Sequence, residues 1–290
     1  MTKLYQKLSK LNLTAEEIKN GVATDSLPPV DFNRREALKS IFSFLDLTSL
    51  NSTDYPEQIK KFAGKAADFR KSFPDMKNVA AVCVFPNFVQ SAREGLKKSG
   101  IRLAVVSGCF PTSQTFLEVK TTETEIAVRN GADEVDIVMS AGFFLNKDYD
   151  IVIEEITTLR QVAGEATLKV ILETGVLGTP DLIYKASVIA MDSGADFIKT
   201  STGKTAVSAT PEAAWVMCRA IRDYYNETGI MVGFKPAGGI STTNEALVYY
   251  NIVANVLGEK WLCSERFRIG ASRLASNLLK EIHPDEPTYF

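Results

Sequence analysis

The feature that most limits what this chain can become is an alternation. Short runs rich in Val, Ile and Phe are each followed by a polar loop and then by a stretch of helical periodicity. The apolar runs are Ile41–Leu47, Val79–Phe85, Ile101–Val106, Glu134–Met139, Leu168–Leu172, Phe197–Lys199, Ile230–Phe234 and Phe267–Ile269. Helical stretches lie between them, among them Pro56–Ser72, Asp148–Val162, Pro180–Asp192, Pro211–Asn226 and Asn244–Asn255. Two start on a recognisable cap. In Gly178-Thr179-Pro180 and Ala209-Thr210-Pro211 the threonine can accept orphan amides while proline occupies the first helical position. Short β-runs alternating with helices predict parallel strands joined by crossover helices. Eight such units, after an N-terminal helical extension, predict an α/β fold of the (β/α)8 or TIM-barrel type. An open doubly wound sheet is the alternative, but it usually carries a glycine-rich first βα turn, and none follows the early runs.

Nothing inside residues 41–280 resembles a linker, so that span reads as one domain. Residues 1–40 read as a helical extension, two short helices around a loop at Gly21–Asp31, with Thr14 and Glu17 spaced as a capping box. In the tail, residues 281–290, Pro284 and Pro287 discourage a helix and predict disorder.

Composition mostly excludes. A formal net charge of -2, with both signs interspersed, offers no electrostatic reason for a nucleic-acid or membrane partner. No window approaches the roughly 20 apolar residues of a membrane span. The N-terminal residues lack the apolar core of a signal peptide, and the expectation is a cytoplasmic protein. Cys83, Cys109, Cys218 and Cys263 are far apart, which argues against a disulfide framework or a zinc site. The single histidine, His283, sits in a polar tail and is a poor basis for a Ser-His-Asp or Cys-His catalyst. Chemistry is therefore expected from lysine, carboxylate, tyrosine or hydroxyl groups, without metal or cofactor.

Two units echo each other. Asn130-Gly-Ala-Asp-Glu-Val-Asp136 parallels Ser193-Gly-Ala-Asp-Phe-Ile-Lys199, each with a glycine able to end the preceding helix in the left-handed conformation. The fifth residue beyond that glycine is ionisable in both, Asp136 and Lys199. Shared loop chemistry of βα-repeats would explain the echo, and so would two strands delivering working groups to one place. Period-two alternation separates these readings. If Val135 and Ile137 face the helices, then Glu134 and Asp136 face inward. The same parity turns Phe197 and Lys199 inward, leaves Lys235 inward beside outward Val232 and Phe234, and puts Lys169, Ile171 and Glu173 on one face. Inward charge in a packed barrel must be paired, so a buried structural ion network remains one reading. Against it, Lys199 and Lys235 fall at the C-terminal ends of their runs, where barrel enzymes keep their active sites. A neighbouring cation and burial would both depress a lysine pKa and make the amine a nucleophile towards a carbonyl. Asp136 could relay a proton. That is Schiff-base aldolase chemistry.

The tail of Asp196-Phe-Ile-Lys-Thr-Ser-Thr-Gly-Lys204, with Thr205, looks like the end of a nucleotide P-loop. A Walker A loop needs glycine five residues before Gly203, and that position is Ile198. Barrels instead hold phosphate with the loops after the seventh and eighth strands. Here those loops carry Lys235-Pro-Ala-Gly-Gly-Ile240 and Gly270-Ala-Ser272, while Gly203-Lys204 adds amides and a cation from the sixth.

Asp196-Phe-Ile-Lys-Thr-Ser-Thr-Gly-Lys204 and Gly233-Phe-Lys-Pro-Ala-Gly-Gly239 together resemble the deoxyribose-phosphate aldolase family. The resemblance extends through Asp46-Leu-Thr-Ser-Leu-Asn51, Ala81-Val-Cys-Val-Phe-Pro86, Gly131-Ala-Asp-Glu-Val-Asp136, Leu168-Lys-Val-Ile-Leu-Glu-Thr-Gly175 and Phe267-Arg-Ile-Gly-Ala-Ser272, covering about residues 41–280. It implies a class I aldolase on a (β/α)8 barrel. The family splits 2-deoxy-D-ribose 5-phosphate into glyceraldehyde 3-phosphate and acetaldehyde, and runs the reverse. By the resemblance Lys199 forms the Schiff base, Lys235 lowers its pKa, and Asp136 shuttles a proton with Lys169 beside it. Gly203, Lys204, Gly238, Gly239, Gly270 and Ser272 fall at phosphate-holding positions, and Thr48, Cys83 and Thr202 lie in the substrate pocket. Three departures stand out. Arg273 follows Ser272 where many relatives have a second small hydroxyl residue, Ser113 replaces a glycine, and Tyr289 is penultimate where some relatives end in a tyrosine that takes part in proton transfer. The N-terminal extension is a candidate for homo-oligomer assembly or for capping the barrel floor. A related Schiff-base aldolase for another sugar phosphate and a non-catalytic sugar-phosphate-binding barrel are the remaining alternatives.

Overall fold

A computed structural model of the chain describes residues 7, 8, 11, 13–30 and 32–290. Eight strands run in parallel: β1 Leu45–Thr48, β2 Ala81–Val84, β3 Arg102–Ser107, β4 Glu134–Val138, β5 Thr167–Ile171, β6 Phe197–Lys199, β7 Gly233–Lys235 and β8 Ile269–Ala271. Each pairs with its sequence neighbour and β1 pairs with β8, giving the order β7-β6-β5-β4-β3-β2-β1-β8. Parallel bridges Phe234↔Phe267 and Ala237↔Gly270 join the two ends, so the sheet is a nearly closed barrel with helices between its strands.

The expected helices at Pro56–Ser72 and Pro180–Asp192 have those bounds, and the latter starts where Thr179 accepts the amide of Leu182. Thr210 likewise caps Pro211–Thr228 by accepting from Ala213. Three strand assignments change, the eighth by a shift from Phe267–Ile269 to Ile269–Ala271. Ile41 and Phe42 belong to a helix, Arg34–Ser43, and β1 starts only at Leu45. A short apolar run cannot distinguish a buried helix end from a strand, and here the periodic stretch before it decides. The seventh run starts at Gly233 rather than Ile230, because Ile230 is exposed and pairs with nothing in the sheet.

Strand alternation divides the interior in two. Leu47, Val82, Val105, Val135, Val170, Ile198, Phe234 and Ile269 face outward into one large core beneath the helices. Inside the barrel, Ala81, Cys83, Ala104 and Val106 form a separate small cluster with Leu50. These small residues on β2 and β3 leave room for the long charged side chains arriving from β5 to β8. Phe197 also fills the interior, and Gly233 permits it: a Cβ there would lie 2.4 Å from the ring.

Gly21 is not in a loop. It lies inside the helix Ala15–Asp25, whose Thr14–Glu17 capping box is formed, and Asp31 falls outside the described residues. This helix packs on Pro211–Thr228 and Thr243–Val256, with Trp215 Nε1 donating to Asp25 at 2.7 Å. Glycine is required where the indole ring stands 2.3 Å from a would-be Cβ. The extension therefore lies on the barrel flank, while Arg34–Ser43 borders the floor. The tail departs from the expected disorder. Its prolines follow the helix Leu274–Ile282, but Tyr289 donates its hydroxyl to the Lys65 carbonyl at 2.8 Å and packs edge-on against Phe69 and Phe73. Packing two half-buried terminal aromatic rings against the core holds the tail without helical pairing.

Candidate active site

Register brings the inward charges together. Asp136 lies opposite Lys169, and Lys199 opposite Lys235. Asp136, wholly buried, accepts from three lysines: Lys169 on Oδ1 at 2.8 Å, and Lys199 and Lys235 both on Oδ2, at 2.8 and 2.7 Å. Lys235 also donates to Asp46 Oδ2 at 2.5 Å. Below them, Lys169 reaches Glu134 at 2.6 Å, and Arg268 donates to both oxygens of Glu134 and to Asp46 Oδ1 at 2.6 Å.

These contacts separate the three amines. Lys169 touches three carboxylates, Lys235 two and Lys199 one. Burial depresses each of them, but Asp136, Glu134 and Asp46 outweigh it at Lys169, and Asp136 and Asp46 outweigh it at Lys235, so both are raised above the ordinary lysine value. At Lys199 burial wins. Its pKa is lowered, with the Lys235 charge acting in the same direction and Asp136 opposing. The expectation for Lys235 thus needs a correction of emphasis: desolvation is the larger cause, and the neighbouring cation adds to it. Asp136 is held well below the ordinary carboxylate range, because its three lysines overcome a large burial penalty. The Cys83 thiol, buried nearby, is pushed up to about 11 by burial and then by Asp136.

Above the lysines, at the C-terminal ends of the strands, opens a cavity of 310 Å³. Lys199, Thr48 and Thr202 line it from below and from the side. Gly203 and Lys204, Gly238 and Gly239, and Gly270 and Ser272 line it from the loops after β6, β7 and β8. Gly203, Gly238 and Gly239 have φ of 75°, 87° and 83°, a backbone conformation that favours glycine. A Cβ on Gly238 would meet Ser208 at 2.6 Å, and one on Gly270 would press on Ala237 and on the Lys235 side chain. Lys204 donates across the mouth to the Leu50 carbonyl at 2.6 Å. Asp136, Lys169, Lys235 and Cys83 are near one another beneath the cavity and do not line it.

Glu173 does not join the lysines. It stands beyond the end of β5 with φ of 56°, and its carboxylate accepts from the Thr202 amide and hydroxyl and from the Thr205 hydroxyl. It therefore fixes the β6 loop. Asp46 and Arg268 join the group as well, and the signal for them is parity: Leu45, Leu47, Phe267 and Ile269 all face the outer core, which turns both charges inward. Ser113 takes φ of 60°, the conformation glycine would supply, with its hydroxyl 3.2 Å from that of Ser140. Arg273 lines the cavity rim and is exposed. Tyr289 is tied to Lys65, and His283 packs on Phe73 beneath the tail. Among the described residues no helix is long and apolar enough to cross a membrane.

The sequence pattern of the DeoC/LacD family aldolases matches residues 40–251. A deoxyribose-phosphate aldolase from Mus musculus is 44% identical over 256 residues, covering 85% of this chain and 80% of its own. One from Agrobacterium fabrum is 41% identical over 255 residues, covering 87% and 94%. Among solved structures, a tetrameric deoxyribose phosphate aldolase from Aeropyrum pernix superposes with a TM-score of 0.68 over 94% of this chain and all of its own, at 22% identity. The aldolase QR15 does so with 0.69 over 83% and 96%, at 27% identity.

Proposed function

The chain belongs to the DeoC/LacD family of aldolases, and from that premise we propose that Lys199 is the amine on which its substrate is cleaved. Its activity is the aldol cleavage of deoxyribose phosphate. The observation that carries the assignment is that Lys199 alone, of the three interior lysines, both lines the cavity and rests on a single carboxylate. An ordinary lysine is neutral in only about one molecule in 2,500 at pH 7. Lowering its pKa raises the fraction able to attack the substrate aldehyde.

In the cleavage direction, the neutral amine adds to C1 of the open-chain sugar phosphate, one proton is taken up and water leaves, forming a protonated imine. Loss of the C3 hydroxyl proton breaks the C2–C3 bond. Its electron pair moves into the imine, releasing glyceraldehyde 3-phosphate and leaving an enamine on Lys199. A proton returned to C2, followed by addition of water, frees acetaldehyde and restores the amine. Asp136, through a bound water, is the proposed carrier of these protons, since it alone touches all three lysines, Lys199 among them.

The substrate phosphate is proposed to sit among the amides of Gly203, Gly238, Gly239, Gly270 and Ser272, with Lys204 as counter-charge and Arg273 adding a second cation at the rim. Thr48 and Thr202 would contact the sugar hydroxyls, while Cys83, beneath the cavity and not lining it, would stay neutral. A coupled assay of acetaldehyde release from 2-deoxyribose 5-phosphate, with Lys199→Leu as control, tests this reading. Cleavage by the intact chain and none by the variant is the expected outcome. Full activity without Lys199 would refute it, and activity on a different sugar phosphate alone would move the substrate assignment.

A further inference from the structure

Four cationic side chains, Lys169, Lys199, Lys235 and Arg268, face three carboxylates, Asp46, Glu134 and Asp136, inside the barrel, all of them buried. If every group were ionised, the interior would hold one positive charge in excess. Low-dielectric surroundings penalise that excess strongly, and the cheapest relief is loss of one proton. Which group gives it up follows from the contacts. Arg268 stays protonated at any working pH. Lys169 is held by three carboxylates and Lys235 by two, which leaves Lys199 with its single shared oxygen.

We propose that Arg268, which touches neither Lys199 nor the cavity, is a positioning residue that sets the pH range of the reaction by supplying the excess charge. Its guanidinium occupies Asp46 Oδ1 and both oxygens of Glu134, carboxyl capacity that the lysines would otherwise share. The influence then passes along a continuous path, Arg268 to Asp46 to Lys235 to Asp136 to Lys199, every step an ion pair of 2.5 to 2.8 Å. The position is fixed from below by the Ser264 carbonyl, which accepts from Nε, and by the Phe197 ring under the guanidinium at 5.7 Å.

The remaining elements around Lys199 do not alter the count. β2 offers Cys83, whose raised thiol is neutral, and β3 offers only Ala104 and Val106 from its inner face. Arg102 comes within 3.8 Å of Glu134 but is more than half exposed, so solvent screens it. In the loops above, Lys204, bound to the Leu50 carbonyl, and Glu173, bound to the β6 loop, add one charge of each sign and leave the excess unchanged.

This inference rests on Lys199 being the nucleophile, and its test is the acid limb of kcat/KM against pH in the intact chain and three variants. That limb reports ionisation of the free amine. Arg268→Met removes a cation, so Lys199 holds its proton more tightly and the limb moves up by about one to two pH units. Glu134→Gln removes an anion, and the limb moves down by a similar amount. Arg268→Lys keeps the charge and leaves the limb within about half a unit of its original position. A merely structural Arg268 would lower activity in both charge-changing variants without opposed shifts. Shifts in one direction, or none, overturn the inference. Should Arg268→Met fail to fold, Glu134→Gln decides alone: a limb that does not fall ends the proposal. Absence of deoxyribose phosphate cleavage by the intact chain would instead defeat the functional reading beneath it.

Discussion

At the floor of the barrel, Arg268 holds both oxygens of Glu134 and one of Asp46, and Lys169 fills the remaining places. At the mouth, one layer up, Lys199 has a single carboxylate oxygen and shares it with Lys235, beneath an open cavity. Both layers are buried, and both join lysine to carboxylate. The difference lies in how completely each charge is matched. Complete pairing turns a buried charge into structure, whereas a deficit beside an opening turns it into chemistry. In keeping with the contrast, the carboxylates around Lys169 at the floor raise it above the ordinary lysine value, while burial lowers Lys199 at the mouth.

Removing the mouth amine should produce the largest effect. Lys199→Leu is expected to reduce kcat/KM by about 10⁴-fold or more, as for loss of a covalent nucleophile. Its urea midpoint should not fall, because the change removes the least compensated charge of the interior. A marked drop in stability would erase the distinction between the layers. At the floor the balance reverses: Lys169→Met leaves Glu134 and Asp136 short of a partner and should cost about 3–5 kcal/mol of unfolding free energy. A loss below about 1 kcal/mol would place Lys169 with the exposed pairs instead.

The contrast can also be sharpened above the mouth. Arg273→Ser is expected to raise KM for 2-deoxyribose 5-phosphate about tenfold, the equivalent of ~1.4 kcal/mol, with kcat unchanged. KM for unphosphorylated deoxyribose should not move, and equal changes for both substrates would remove Arg273 from the phosphate site. The smallest effect belongs outside both layers. Tyr289→Phe deletes one hydrogen bond to Lys65 and should lower stability by about 1 kcal/mol while kcat stays within about twofold.

Alternation favours the barrel over an open doubly wound sheet, and strand parity alone turns Lys169, Lys199, Lys235, Glu134 and Asp136 inward. The same rule reaches Asp46 and Arg268, whose flanking residues are apolar and outward. What it cannot supply is the stagger between strands, on which the pairing depends: Asp136 meets Lys169 and Lys199 meets Lys235 only in the register of the closed sheet. Glu173 kept the right parity and still left the group, because φ of 56° at the end of β5 ends the alternation. Ile41 and Phe42 read as strand because a buried helix end and a strand share composition. Tyr289 and Phe290 dock through distant aromatic contacts with Phe69, which local proline signals do not report.

The central claim is that the interior leaves one amine, Lys199, free to form an imine. Reduction with borohydride in the presence of acetaldehyde, followed by peptide mapping, tests it most directly. The account predicts a single ethylated lysine at position 199, formed faster as pH rises through the lowered pKa, with Lys235 and Lys169 unmodified. No adduct, or one on Lys235 or Lys169, would contradict it.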